Sequence, residues 1–366
     1  MNCTAKILLA LVQEAMGWSN EHNWSEETLV WGDIFRLAQR QGVLAIVWSA
    51  IGKLANEGKL TPEQMPDKAL KLQWALSAEK IASRYRRQKL LIEKLAKFYG
   101  VHGIKMMLLK GYSLSIYYPT PEYRECGDID IWLYGEQQKA DKLLNELKGV
   151  EIDEDKHHHT TFVIDGIMVE NHYDFLNVHA HPSNKDIEQE LQRLSKENAG
   201  IEHHIGDSVV MLPPANLNAL FLLRHAAAHF AAVEIGLRHI IDWALFVKNN
   251  YADIDWSWLY GVAKRHNMEK FLNCLNAISI EYFGLDSKML PEFERNAELE
   301  QRVFNDIISP EFSEKMPSKG ILRRLIFRYR RWWANRWKHR IVYREGLLRT
   351  FIVQIYSHLL KPKSLK

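Results

Sequence analysis

The stretches LLKGYS at residues 108–113 and RECGDIDI at residues 124–131 decide the fold of this chain. Asp128 and Asp130 stand two apart in an apolar run that predicts a strand, so both side chains point to one face. Neighbouring carboxylates repel each other unless a cation lies between them, and Mg²⁺ is typically held by carboxylates together with substrate phosphates. The alternative is a solvated Asp-x-Asp at a strand end. A glycine in the preceding turn from strand to helix, where phosphate can bind, favours a nucleotide site.

These two stretches resemble the DNA polymerase β-like nucleotidyltransferase superfamily. Its pattern is a strand, Gly-Ser or Gly-Gly, a helix, a strand with Asp-x-Asp, and a third carboxylate on a later strand. Leu-Lys-Gly followed by Arg-x-x-Gly-Asp-Ile-Asp-Ile is similar to a bacterial group described as uncharacterised nucleotidyltransferases. The resemblance covers about residues 100–180, with a weaker match at 217–247. It implies a metal site on Asp128 and Asp130, with Mg²⁺ (or Mn²⁺) as the cofactor and an NTP as the substrate. The chain departs from the pattern at Tyr112.

The third carboxylate of the predicted site is Glu170. It lies in the middle of a predicted strand between apolar neighbours, where a lone carboxylate is costly. Asp165 is explained by its place in a turn, and Asp174 is the alternative to Glu170. His172 faces the same way two residues on, where it either contacts phosphate and tunes Glu170 or is an ordinary half-exposed strand histidine.

Phosphate contacts are predicted for four residues around the two stretches. Lys110 and the backbone N–H groups that follow Gly111 are placed to cradle phosphates. Ser113 lies one residue later than the hydroxyl of the superfamily pattern. Arg124 belongs to the Arg-x-x-Gly-Asp pattern and is predicted to bind a triphosphate through two parallel hydrogen bonds.

Further along, several basic residues leave two interpretations open. Arg238 either pairs with Asp242 one helical turn away or faces the nucleotide cleft. His225 and His229 share a helix face at a spacing that suits a metal, but no third ligand is evident and simple helix packing is favoured. The histidine run 157–159 is predicted to be a solvated loop.

The order of predicted elements gives an α+β protein with a small mixed sheet between helical regions. At 366 residues the chain exceeds the usual size of a single core, so several units are expected. Asp165-Gly166 between two β-rich runs predicts a hairpin with a type I′ turn. The predicted units are an N-terminal helical region at 1–99, a nucleotidyltransferase core at 100–185, a C-terminal helical region at 186–318 and a basic aromatic helical tail at 319–366.

The tail carries most of the charge asymmetry of the chain. Residues 319–366 contain 14 Lys and Arg against one acid, whereas the rest contains 34 basic and 44 acidic groups. Residues 328–340 interleave these bases with Tyr and Trp. Three alternatives fit this pattern: a helix that packs on the acidic body, binding to an anionic membrane surface, and binding to nucleic acid.

The predicted function is metal-dependent transfer of a nucleoside monophosphate from an NTP to an unidentified hydroxyl or phosphate acceptor. The alternative keeps the fold but not the chemistry, as a nucleotide-binding scaffold docked to a membrane or a partner through the tail. Cys3, Cys126 and Cys274 are too far apart for metal spacing and predict free thiols in a reducing cytoplasm. The predicted location is therefore the cytoplasm, and the basic tail adds a peripheral place at the inner membrane surface to this prediction.

Overall fold

Helices cover both faces of one mixed sheet in the computed structural model of the chain, which describes residues 2–18, 22–318, 320–347 and 349. The first helices are α1 (Cys3–Met16), α2 (Trp31–Gln41), α3 (Leu44–Asn56) and α4 (Lys68–Val101). The central elements are β1 (Met107–Leu108), α5 (Tyr112–Ser115), β2 (Ile129–Trp132), α6 (Gln137–Lys148), β3 (His159–Ile164), β4 (Ile167–His172), α7 (Ser183–Glu197), β5 (Ile201–Ile205) and β6 (Ser208–Leu212). The last helices are α8 (Ala215–Ala232), α9 (Leu237–Asn250), α10 (Trp256–Arg265), α11 (Glu269–Tyr282), α12 (Ala297–Ile308), α13 (Ile321–Ala334) and α14 (Arg336–Val342).

The sheet runs in the order β3-β4-β2-β1-β6-β5. Strand β2 pairs in parallel with β4 and antiparallel with β1, while β1 pairs in parallel with β6. In the turn between β3 and β4, both Asp165 and Gly166 have positive φ, at 53° and 72°. This is the backbone of a type I′ turn, so the predicted hairpin is confirmed, as is the α+β class.

The two faces of β2 belong to different cores. Ile129 and Ile131 pack in a cluster with the second half of α4 and with α6. Trp132 belongs to the larger cluster, where its ring stacks on Phe175 at a centroid distance of 4.1 Å. Because side chains alternate along a strand, Asp130 lies on the Trp132 face, towards α8 and α9. The sheet therefore carries its acidic residues on the face that the C-terminal helices cover.

One hairpin escaped the sequence analysis. The sequence predicts a helical region at 186–318, but β5 and β6 add two strands to the sheet at 201–212. Strand β5 lies at the sheet edge, and four of its five residues are partly or fully exposed, which hides the apolar alternation of a strand. Gly206 and Asp207 form the tight turn, a dipeptide that favours two-residue hairpins. The sheet thus extends beyond the predicted boundary at residue 185.

The described part of the basic tail forms α13 and α14. Helix α14 packs into the body, where Lys338 and Asp306 form an ion pair with both side chains about 1% exposed. The Trp337 indole donates to the Glu311 carboxylate. The intramolecular alternative therefore describes α14, while the prediction for residues 351–366 lies outside the described residues. None of the helices in the described ranges combines the length and the apolar character needed to cross a membrane.

We expect Asp306→Asn to lower the free energy of unfolding by about 3–5 kcal/mol, because it leaves the buried Lys338 ammonium without its counter-charge. Chemical denaturation measures this loss. Glu314→Gln is the matched control, since it breaks the exposed pair of Glu314 with Arg330 and should cost less than about 1 kcal/mol. Equal losses in the two variants would contradict a structural role for α14.

Candidate active site

The candidate site is built on the parallel pairing of β2 with β4. Asp130 lies directly opposite Glu170 in this register, and His172 follows two residues later on the same face. Ligand atoms of these three side chains all lie within 4.8 Å of one another. Sheet register thus brings together residues that are 40 positions apart in sequence.

Asp130 is an ionised carboxylate in a buried position, with 2% of its surface exposed. Its Oδ1 atom lies 2.7 Å from Lys110 Nζ and 3.2 Å from His172 Nε2. Burial alone would raise the pKa of Asp130, but the charge of Lys110 and the contact with His172 outweigh it and hold that pKa well below its usual range. The Oδ2 atom is buried and has no hydrogen-bond partner among the described residues. Asp130 therefore offers a charged oxygen that suits a cation.

Lys110 is the cation that balances this acidic group. Its ammonium contacts Asp130 and lies 4.0 Å from Glu170 Oε2. Burial would lower the pKa of Lys110, but Asp130, Asp128 and Glu170 together raise it, so the side chain stays charged. Lys110, which is predicted to bind phosphate, therefore contacts carboxylates in the structure.

His172 is oriented from both sides of its ring. Nδ1 lies 3.2 Å from the Asp174 carbonyl and donates to it, which aims Nε2 at Asp130 and, at 3.6 Å, at Glu170. Burial opposes a charge on the ring, but hydrogen bonds to the two carboxylates outweigh it and raise the pKa of His172 to about 9. The imidazole is therefore protonated at neutral pH and shares the neutralisation of Asp130 with Lys110.

Two further histidines border the site, and the prediction of a solvated loop is wrong for them. His159 is the first residue of β3 and pairs with His172, which puts its Nε2 atom 3.6 Å from Glu170 Oε1. Burial lowers the pKa of His159 to about 4 and that of His158 to about 2. Both rings are neutral at pH 7 and carry a nitrogen lone pair. The nitrogens of His158, His159 and His172 also lie within 4.8 Å of one another.

Two cavities meet at the carboxylates. The small cavity, of about 210 Å³, is lined by residues that include Gly111, Arg124, Asp130, Arg238 and Asp242. The large cavity, of about 630 Å³, extends from Glu170 and His172 towards α13. Four residues line both cavities, namely Lys110, Asp128, His225 and His229. A ligand that fills both cavities would pass Asp128, which immediately precedes β2.

Gly111 and Ser113 have different places relative to these cavities. Gly111 lines the small cavity with φ of 69°, a conformation that disfavours any side chain, and an added Cβ would lie 3.6 Å from the Asp128 carbonyl oxygen. Ser113 is 2% exposed and lines neither cavity. The structure thus brings Gly111 to the site, whereas the phosphate contact of Ser113 stays a prediction without support from its position.

Arg124 is anchored by a helix that is distant in sequence. Its Nε and Nη2 atoms donate to the Asp242 carboxylate at 3.0 and 2.6 Å, and the Tyr118 hydroxyl donates to the same carboxylate at 2.7 Å. Burial opposes the charge on Arg124, but Asp242 outweighs it and raises its pKa. The partner of Asp242 is therefore Arg124 rather than Arg238. Arg238 instead donates to the Glu125 carbonyl at 2.8 Å and lines the small cavity.

His225 and His229 have a position that sequence spacing did not reveal. Their ring centroids lie 4.4 Å apart on α8, and both residues line both cavities. Burial, followed by the nearby charge of Lys110, lowers the pKa of both imidazoles, so the rings are neutral. Helix packing was favoured for this pair, but the packed face borders the candidate site.

The comparison with protein families agrees with this geometry. A family model described as an uncharacterised nucleotidyltransferase matches residues 27–284, which is more than half of the chain. The chain therefore belongs to this nucleotidyltransferase family. The match begins in the N-terminal helices and ends after α11, so it contains the sheet, both cavity-lining histidines of α8 and the Arg124–Asp242 pair. No curated protein and no solved structure matches the chain.

The raised pKa of His172 predicts a pH-dependent stability. Because the folded pKa of about 9 lies above the ordinary value of 6.5, its contribution is complete below pH 6.5 and is lost as the pH rises through 9. The loss is at most about 3 kcal/mol. Denaturation at pH 6, 7, 8 and 9.5 measures it.

His172→Gln should remove most of this decline between pH 6.5 and 9. His204→Gln, at an exposed residue of the edge strand β5, should keep it. A decline of the same size in wild type and in both variants would contradict the charged state assigned to His172.

Proposed function

We propose that this nucleotidyltransferase family member moves a nucleoside monophosphate from an NTP to a hydroxyl or phosphate acceptor with the help of divalent cations. The observation that carries the proposal is the Asp130–Glu170 register pair, with a buried carboxylate oxygen, between two cavities lined by basic residues. The small cavity, with Gly111 and Arg238, would hold the triphosphate. The large cavity would hold the acceptor.

The side chains present fit a divalent cation. Asp130 and Glu170 would hold it, because their ligand atoms are already close and Oδ2 of Asp130 has no hydrogen-bond partner among the described residues, and His172 would join them only after losing its Nε2 proton. Asp128 lines both cavities and would supply the fourth ligand. Carboxylates suit Mg²⁺ and Mn²⁺. Such a cation supplies charge neutralisation for the phosphates and the developing leaving group.

The protein groups then have separate tasks. Lys110, once a cation has replaced it on Asp130, would bind a phosphate oxygen, and Arg238 would bind the outer phosphates. Glu170 would accept the proton of the acceptor hydroxyl, whose oxygen forms a new bond to the α-phosphorus. The bond from the α-phosphorus to the bridging oxygen breaks, and pyrophosphate leaves with the electron pair. Arg124 contributes through position, since its contacts with Asp242 fix the loop that precedes Asp128.

A second candidate function, a nucleotide-binding scaffold docked to the inner membrane surface, is favoured by one feature of α13. Five apolar residues at helical spacing form a stripe along one face of this helix, and each is at least 48% exposed: Leu322, Leu325, Ile326, Tyr329 and Trp333. Arg323 and Arg330 are exposed beside this apolar stripe. An amphipathic helix of this composition binds anionic lipid surfaces. This docking is also compatible with an active enzyme.

For nucleotidyl transfer, we expect wild type to incorporate label from α-labelled NTPs into an acceptor in cell lysate when Mn²⁺ is present. Glu170→Gln should lower the rate by about 100-fold or more, because the proton acceptor is lost. Asp130→Asn should abolish both labelling and the rise in melting temperature that Mn²⁺ with NTP causes.

Asp165→Asn is the matched control, since it makes the same carboxylate-to-amide change in the exposed turn of the same hairpin. Its labelling rate should stay close to wild type. If Asp165→Asn and Glu170→Gln label at equal rates, Glu170 is not the proton acceptor. If Asp130→Asn retains the metal-linked rise in melting temperature, the assigned metal site is wrong.

For membrane docking, we expect binding to anionic vesicles with a blue shift of Trp fluorescence, and weaker binding as the salt concentration rises. Leu322→Ser with Ile326→Ser should reduce binding, because it interrupts the apolar stripe of α13. Leu72→Ser with Leu76→Ser makes the same change at exposed leucines of α4 and should leave binding unchanged. Equal vesicle binding by the two double variants would contradict docking through α13.

A further inference from the structure

The large cavity has arginines towards one end, and at the other end Lys110 and His172 line it beside two carboxylates. Glu170 and Asp128 line the end at the sheet, whereas Arg224, Arg328 and Arg331 line the end towards α8 and α13. We propose that this cavity binds a small acceptor that carries a hydroxyl and an oxyanion, either a phosphate ester or a carboxylate. The arginines would hold the oxyanion and direct the hydroxyl towards Glu170. This inference rests on the proposed nucleotidyl transfer and names the chemical class of its acceptor.

Arg224 is the first support for an anion at this end. Its side chain is 1% exposed, and its guanidinium donates to Asn184 Oδ1 and to the Val342 carbonyl and lies 4.5 Å from the centroid of the Tyr343 ring. These contacts are all with neutral groups. Buried charges in proteins are normally paired, so a guanidinium with this environment at a cavity wall favours an anionic ligand.

The carboxylate of Glu345 does not take that role in the described structure. Its two oxygens accept hydrogen bonds from the backbone N–H and the hydroxyl of Ser183. Burial accordingly lowers the pKa of Arg224, and Tyr343 and Glu345 offset this only in part. The guanidinium of Arg224 therefore lies at the wall of the large cavity with hydrogen bonds to neutral groups and none to a carboxylate among the described residues.

Arg328 and Arg331 provide the second, independent support. They lie one turn apart on α13, on the side of the helix that carries the buried Phe327 and away from its exposed apolar stripe. Burial and the neighbouring Arg328 lower the pKa of Arg331, with a smaller opposing effect from Glu234. Both guanidinium groups line the large cavity, and their planar donor geometry matches that of an oxyanion.

The size and polarity of the cavity define the ligand further. A volume of about 630 Å³ lies within the range of sites for small molecules. The arginines would attract the anionic end of a ligand and Glu170 and Asp128 would repel it, whereas Lys110 and His172 already pair with carboxylates at that end, so the orientation with the oxyanion at the arginines is favoured. That orientation places a hydroxyl of the ligand next to Glu170. The hydroxyl oxygen forms the bond to the α-phosphorus, its proton passes to the Glu170 carboxylate, and pyrophosphate leaves.

The test uses the full chain saturated with Mn²⁺ and a non-hydrolysable NTP analogue, so that the triphosphate site is already filled. Glycerol phosphate and glycerate are the two probes, because they share a three-carbon hydroxyl skeleton and differ in the oxyanion. Titration calorimetry measures their Kd with wild type and two double variants. Arg328→Gln with Arg331→Gln removes two cations from the cavity wall, and Arg323→Gln with Arg330→Gln removes two exposed cations from the same helix outside the cavity lining.

We expect the cavity variant to bind the preferred probe at least tenfold more weakly, while the control variant and all NTP-analogue affinities change less than twofold. The stronger of the two probes identifies the oxyanion. Equal weakening in both variants, or no weakening in either, would overturn the inference, as would a 5′-phosphorylated RNA oligonucleotide that binds tenfold more tightly than both probes. Failure of wild type to bind the NTP analogue with Mn²⁺ would instead count against the proposed nucleotidyl transfer, and the probe affinities would still be measurable.

Discussion

The parallel pairing of β2 with β4 is the constraint on which the site depends. It sets Asp130 opposite Glu170 and places both on the sheet face that α8 and α9 cover. Two carboxylates at this separation in a buried setting are stable only when cations neutralise them. Lys110 and His172 do so at 2.7 and 3.2 Å from Asp130, which explains why basic groups gather around an acidic strand.

The site also depends on the C-terminal helices being held against this face of the sheet. Arg124 and Tyr118, which flank the loop before Asp128, both donate to Asp242 on α9. A buried pair of this kind is strongly destabilised when one partner is lost, so it fixes the position of one element relative to the other. The walls of the small cavity thus depend on a contact between residues that lie 118 positions apart. That contact lies within the segment that the nucleotidyltransferase family model matches.

Sequence patterns predicted the local features of the fold and missed those that depend on distant contacts. The α+β class and the type I′ hairpin follow from the order of predicted elements and from turn chemistry, and they are confirmed. The position of the turn also determines the register of the hairpin. Counting outward from Asp165-Gly166 pairs His159 with His172, which places His159 beside Glu170. The Arg124–Asp242 pair and the place of His225 at the cavities follow from tertiary packing, which no local pattern encodes. The roles of the predicted metal ligands stay predictions, although the structure brings Asp130, Glu170 and His172 together.

The basic tail shows why a charge count says little about partners until the faces of its helices are known. Lys338 of α14 forms a buried ion pair with Asp306 and is not part of an external surface. On α13 the cations divide, since Arg328 and Arg331 line the large cavity whereas Arg323 and Arg330 are exposed beside the apolar stripe. The basic residues of α13 and α14 therefore include a structural, a cavity-lining and a solvent-facing set. Because α13 connects the last two sets, its position on the body determines both the charge inside the large cavity and the surface that an anionic membrane would meet.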